Sequence, residues 1–419
     1  MSKSYYTKND PVSIVALRDY SPETARAALE ELLSPLGSLD FVKPGMRVVI
    51  KANLGRFSIG TKVYDAKGTA TPYVSVQISA LEAKWADALR IAKEVLSGTR
   101  FDDIKAAGDL LKQVRQDMEQ GVAVSGNQYA MRRAGARLSR ANEMDELTSG
   151  IAQLRWLQKA KADAELLERY AAFADRIFTS SRLTVCLTDN MPAVCASEVV
   201  AAWPKGEPVT PIGSKWKSLI SESVGSEGFT IPAEVAYAGV ASRLPVEVPY
   251  HGSQIVSARI LTLDYLWNEI RVLGGAYGMG LVVRADGDVQ YMTYRDPNPA
   301  RSFEKIAEAG AALKKFCEAG NDIDKYVVSA IGKTEPYLSP RLETQRASDI
   351  HLSGRTVQDL ENVRAEILST SKAGIMKFAD TLDALSGKTS KCVVGGKKPL
   401  AQCELSTVES VADVSSKSE

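Results

Sequence analysis

"QIVSARILTLDYLWNEIRVLGGAYGMGLVVRADGDVQYMTYRDP", residues 254–297, carries a helix, a stop and a hairpin in one run. Val256, Ile260, Leu263, Trp267 and Ile270 recur at the alternating spacing that puts side chains on one face of an α-helix. Ser253 stands before them as the expected N-cap. Gly274-Gly275 ends the helix, because glycine enters the left-handed conformation without steric cost. Two strands then follow, meeting at Asp286-Gly287, a dipeptide suited to tight hairpin turns. A helix feeding an antiparallel hairpin places this region in the α+β class.

Working outward, the same domain spans 229–403, opening at "FTIPAEVAYAGVASRL". Helices are expected over 302–317 and 356–368, flanking "YVVSAIG", a short apolar run that reads as a strand. Residues 404–419, rich in Ser, Val and Glu, read as a disordered tail. Residues 193–228 are crowded with Pro, Gly and Ser and read as a connector.

Before the connector, 55–192 reads as a first α+β domain. Phe57, Ile59, Thr61 and Val63, then Val74, Val76, Ile78 and Ala80, alternate as two half-buried strands around "AKGTATP". Trp85, Leu89, Ala92 and Leu96 fall at helical spacing, as do Ile104, Leu111, Val114 and Met118. Further helices are expected over 127–141 and 146–178, with "RLTVCLTD" closing the domain as a strand. Residues 1–54 read as a βαβ-like fragment: a strand over 12–17, a helix opening at Ser21-Pro22, a Pro44-Gly45 turn and a strand over 47–51. The shared order of strands, helices and late strand in the two larger domains hints at duplication.

Composition narrows the function. Lys+Arg number 52 against 51 Asp+Glu, so nothing favours nucleic acid or an anionic membrane as partner. No apolar run approaches the roughly 20 residues that span a bilayer, and the N-terminus shows neither a signal nor a transit pattern. Cys186, Cys195, Cys317, Cys392 and Cys403 are odd in number, scattered and form no C-x-x-C pair, which suggests neither a disulfide framework nor a zinc knuckle and fits a reducing, cytoplasmic setting.

A catalytic zinc needs three protein ligands, usually including two histidines on one helical face. His251 and His351 are the chain's two histidines and lie far apart, and neither H-E-x-x-H nor H-x-x-E-H occurs. Pro249 prevents Glu247 and His251 from sharing a helix, so a structural or capping role is expected for His251. There is no G-x-S-x-G elbow. "GGAYGMG" follows a helix and precedes a strand, the reverse of a phosphate loop, and "VVGGKKP" is read as lacking that context too. What remains is Arg271 at the helix end and Tyr277 at the next strand. An Arg fork and a phenol O–H are two donors that can bind a peptide carbonyl or a developing oxyanion. On the residues alone the structural reading is the better one, since Arg favours a helix C-terminus through the macrodipole and Gly-Gly is a common stop.

"LDYLWNEIRVLGGAYGMG", "YMTYRDPNP" and "GRTVQDLENVRAEIL", with "GRFSIGTKVY" and "SGNQYAMRRAGARLS" earlier, closely resemble the C-terminal half of pitrilysin/insulinase-type zinc metallopeptidases, in the presequence-protease branch. The resemblance covers about 55–400. It implies two pitrilysin-like α+β domains, Arg271 and Tyr277 as transition-state contacts, and an unstructured peptide as substrate. It also implies that zinc and the general base come from another half bearing H-x-x-E-H, with no metal held by this chain. "VSIVALRDYSPE" with "FVKPGMRVVIKANL" resembles a domain family often joined to iron-sulfur modules, although no cluster-binding cysteines follow. The alternatives to a peptidase half are a non-catalytic peptide-binding or assembly subunit and a fragment without activity of its own.

Overall fold

A computed structural model describes residues 56–412, apart from 67, 82–83, 189–192, 208–217 and 219–224. The βαβ-like reading of 1–54 lies outside the described residues.

Strands β1 (Arg56–Ala66) and β2 (Thr69–Ser79) form a two-stranded sheet where strands are expected, although Phe57, Ile59 and Thr61, read as a half-buried face, are exposed. The turn between them is much shorter than the "AKGTATP" loop, since Thr69 to Pro72 already belong to β2. Lys62 Nζ and Tyr64 Oη both donate to Asp349 Oδ1, at 2.9 and 2.5 Å.

Helices α1 (Trp85–Gly98), α2 (Ile104–Val124), α3 (Gly126–Gly135), α4 (Arg140–Ser149), α5 (Ile151–Lys159) and α6 (Ala164–Ile177) follow. Local chemistry sets the breaks. Asp103, Ser139 and Asp163 each accept a backbone N–H at a helix start. The stretch expected as one helix over 146–178 is therefore three pieces, divided at Gly150 and Asp163. The apolar stripe expected on α2 is only partly covered: Ile104 and Val114 are exposed, and Val122 is the buried position. "RLTVCLTD" forms no strand among its described residues, and Leu183 and Cys186 are exposed. Within the connector, α7 (Ala193–Ala201) is helical.

Beyond the connector come β3 (Ser226–Thr230), β4 (Ala236–Arg243), α8 (Gly252–Ile260) with a π-helical continuation (Leu261–Val272), β5 (Gly278–Val283) and β6 (Asp288–Tyr294). Then follow α9 (Pro299–Ala307), α10 (Ala309–Glu318), α11 (Asp324–Thr334), α12 (Pro340–Leu352), α13 (Val357–Leu368) and α14 (Lys372–Leu385). The last elements are β7 (Ser390–Gly395), the single turn α15 (Lys397–Leu400) and β8 (Thr407–Ser410).

Three expectations are corrected here. "YVVSAIG" lies in α11, where Tyr326 and Ala330, one helical turn apart, are buried against α8 and α13 while Val328 is exposed. The 404–419 tail is not wholly without structure, since β8 pairs in parallel with β3, Gly228 opposite Val408. "VVGGKKP" does follow a strand and open a helix, although that helix is one turn long.

Among the described residues the main sheet runs β5-β6-β4-β7-β3-β8. The neighbouring pairs β5–β6, β6–β4 and β4–β7 are antiparallel, with Leu281 opposite Tyr291 and Tyr291 opposite Val240, whereas β7–β3 and β3–β8 are parallel. The α+β class stands, with helices on both faces. On one face Val240, Val289, Tyr291 and Leu281 pack with Val256, Leu266, Ile270, Leu313 and Phe378 of α8 to α14. On the other, Tyr237, Ala241, Cys392 and Val394 pack with Ala130 and Ala134 of α3 and Ile151 and Leu154 of α5. The region read as a first domain thus covers one face of the sheet read as belonging to the second.

Contact across that face is very close. A Cβ on Gly239 of β4 would overlap the Ala130 carbonyl of α3, and one on Gly126 would enter the Tyr237 ring. Beside it, Arg133 clamps Glu227 of β3 through Nε (2.8 Å) and Nη2 (3.0 Å), and Arg137 Nη2 adds a contact at 2.9 Å. Glu146 is fully buried there. Its Oε1 accepts from Ala152 N at 2.9 Å and Arg133 Nη1 at 3.4 Å, while Oε2 has no hydrogen-bonding partner. Burial outweighs the attraction of Arg133 and pushes the carboxyl up to about 7.

Candidate functional site

The site begins with the helix register. From Leu261 the ladder widens to the π form, and Leu273 N bonds to Asn268 O at 2.9 Å. The buried positions consequently become Leu261, Leu266 and Ile270. Leu263 and Trp267, expected on the buried stripe, are instead 45% and 39% exposed. Widening the turn moves Trp267 to the surface, one turn ahead of Arg271, whose Cζ lies 4.3 Å from the Trp267 ring centroid.

The Gly-Gly stop performs as the sequence implies. Gly275 takes φ +81, and the N–H groups of Gly275 and Ala276 reach back to the carbonyls of Arg271 and Ile270, both at 3.1 Å. The helix end is also gripped from α9, because Arg301 binds the Glu269 carboxylate at 2.9 Å and its carbonyl oxygen. Chain reversal brings Tyr277 alongside Arg271, with Cζ 5.4 Å from the phenol ring centroid. The two residues singled out in the sequence are therefore brought together. Tyr277 is 64% exposed, and among the described residues neither its hydroxyl nor the Arg271 guanidinium is hydrogen-bonded or ion-paired. Both keep their donors free for an incoming acceptor.

Sequence reasoning missed the neighbours. Tyr277 N donates to Tyr294 O at 3.0 Å, and its ring meets that of Tyr294 edge-on at 5.9 Å. Tyr294 in turn lies 5.3 Å from the ring of Tyr237 on β4, whose hydroxyl donates to Ala123 O at 3.0 Å. Arg295 sets its Cζ 5.7 Å from the Tyr294 ring. Strand alternation offered one signal: Tyr294 lies on the same face of β6 as Met292, which pairs with Gly239, so it sits near the strand that carries Tyr237.

The histidines lie elsewhere. His251 N-caps α8, where the sequence suggested Ser253: its Nδ1 accepts from Ser253 N at 3.1 Å, and its own N–H donates to Gln254 Oε1 at 3.2 Å. Nδ1 is thereby the acceptor, which leaves the ring proton on Nε2. His351 is exposed in the last turn of α12. Among the described residues no group of three or more His, Cys, Asp or Glu side chains is placed to hold a metal ion.

Residues 226–396 match the family "PreP C-terminal domain", and 33–159 match the family of domains associated with M16 peptidases of subfamily C. The second match starts at residue 33, inside the 1–54 fragment assigned to another family, and the iron-sulfur-associated resemblance of that fragment finds no support. Protein HypA of Clostridium perfringens is 23% identical over 89% of this chain and 39% of its own length. The mitochondrial presequence protease of Emericella nidulans is 28% identical over 78% of this chain and 32% of its own. The crystal structure of a peptidase M16 inactive domain from Pseudomonas fluorescens superposes with a TM-score of 0.53 at 13% identity, covering 88% of this chain and 84% of that one. The chain thus spans well under half the length of the curated relatives it matches.

Proposed function

We propose, from the premise that the chain resembles the C-terminal half of a presequence-protease-type, pitrilysin-like peptidase, that it takes part in peptide degradation by supplying the substrate-facing half of the reaction centre. The Arg271 guanidinium and the Tyr277 hydroxyl would donate to the carbonyl of an unstructured peptide and to the oxyanion that develops on it. Zinc and the general base would come from a half bearing H-x-x-E-H. The observation that carries this reading is the free pair of donors set side by side at a tightly closed helix end. The described cysteines, Cys186, Cys317, Cys392 and Cys403, are free thiols, consistent with a reducing compartment such as the cytoplasm. A relative matched above is mitochondrial by name, and among the described residues no helix is long and apolar enough to cross a membrane.

The test is zinc content and cleavage of an unstructured peptide by the purified chain, with and without an H-x-x-E-H half. The expected result is no stoichiometric zinc and no cleavage alone, and both in the pair. Peptide binding without cleavage in any pair would favour the reading as a non-catalytic peptide-binding or assembly subunit. Chelator-sensitive hydrolysis by the chain alone would overturn the division of roles.

A further inference from the structure

Arg295 adopts φ +48, and among the described residues it is the non-glycine with positive φ. An L-residue enters this left-handed region only where its surroundings impose it, and such positions cluster at functional sites. Here the constraint is visible on both sides. Tyr294 is held in β6, its carbonyl bound by Tyr277 N. Asp296 is pinned to β4, giving its N–H to Ala236 O at 2.7 Å and taking that of Ala236 at 2.8 Å. Its buried carboxylate is engaged as well, by Ser302 Oγ at 2.6 Å and Asn298 N at 2.9 Å. The one residue between these anchors must turn left-handed, which fixes where Arg295 leaves the backbone.

It leaves it beside the candidate site. Arg295 lies against Tyr294, and Tyr294 against Tyr277, so Arg295 and Arg271 stand along one run of adjoining rings. Arg295 is exposed, and among the described residues it has no carboxylate partner. Its surroundings are phenols: Tyr237, whose own proton is committed to Ala123 O, and Tyr294 both favour the charged guanidinium. Two unneutralised guanidiniums on an aromatic floor favour an anion, and a guanidinium fork matches a carboxylate.

Resting on the peptide-binding reading above, the geometry points to Arg295 as a specificity-determining residue that receives a carboxylate of the bound peptide, an acidic side chain or the C-terminus. The carboxylate would lie a few residues from the carbonyl held by Arg271 and Tyr277. At about 3.3 Å per residue of extended chain, the adjoining rings of Tyr277 and Tyr294 cover that interval.

The experiment measures binding of three unstructured peptides to the full chain by fluorescence anisotropy with an uncharged label. One is neutral and amidated, one has a single glutamate and an amidated end, and one is neutral with a free C-terminal carboxylate. At low salt at least one carboxylate peptide should bind about tenfold more tightly than the neutral one, and the preference should shrink as salt rises. Which of the two is preferred identifies the source of the carboxylate. In Arg295→Gln the preference should vanish while the neutral peptide binds as before. Arg295→Asn, a residue that tolerates left-handed backbone, repeats the test should the Gln variant melt early. Equal binding of all three peptides, or a preference that survives in both variants, overturns the assignment and leaves peptide binding intact. Binding of no peptide overturns peptide binding itself, and the assignment with it.

Discussion

The guanidinium carbon of Arg271 stands 5.4 Å from the ring centroid of Tyr277, at the end of a helix whose last turns are π-helical. The pairing requires the Gly275 reversal and the β5–β6 pairing that anchors Tyr277 N on Tyr294 O. Because neither donor is used among the described residues, both can be altered with little structural consequence.

Arg271→Lys and Tyr277→Phe should therefore leave the melting temperature nearly unchanged while lowering kcat/KM in a working pair by about 10²-fold, as when an oxyanion donor is removed. Kinetics and thermal melts on the same variants check this. Unchanged turnover per folded molecule would remove both residues from the reaction centre.

Gly239→Ala should destabilise the chain by about 1–3 kcal/mol, because the added methyl meets the Ala130 backbone, which cannot step aside as a flexible side chain can. Gly60→Ala, with open space around the new methyl, is the matched control and should be close to neutral. Urea denaturation of the two variants compares them directly.

Glu146 gives a pH signature. Its carboxyl is raised from 4.5 to about 7 by burial, so the folded chain keeps a proton that the unfolded chain releases between those values. Stability from this group is full below about pH 4.5 and is lost as pH rises through about 7, on the order of 3 kcal/mol in all. Asp288, raised from 3.8 to about 6 by burial, slopes the same way. Glu146→Gln should gain stability relative to the parent between pH 5 and pH 8. Denaturation midpoints at the two pH values decide it, and a constant difference between the proteins would contradict the assignment.

His251→Ala should cost about 1 kcal/mol through the lost cap on α8, whereas His251→Asn, which restores a side-chain acceptor at the N-cap, should recover most of it. Thermal melts of both variants are the measurement. Loss of bound zinc accompanying the alanine change would instead mark His251 as a ligand.

Where the deciding chemistry is local, the sequence was legible. The helix over 254–272, its Gly274-Gly275 stop and the Asp286-Gly287 hairpin, whose strand pairing also holds Tyr277 beside Arg271, all depend on residues near one another in the chain, and capping, glycine φ and turn preference act at that range. "YVVSAIG" and "RLTVCLTD" both read as short strands, yet the first became helix and residues 183–188 of the second form neither helix nor strand, because a short apolar run takes its state from whatever surface it packs against. The change to π register is likewise a matter of packing, and it moved Leu263 and Trp267 to the surface. Tyr237, Tyr294 and Arg295 join the site only through the pairing of β4 with β6 and the bridge between Ala236 and Asp296. Those contacts span long stretches of chain, and their register is chosen by which side chains the completed sheet can bury on both of its faces.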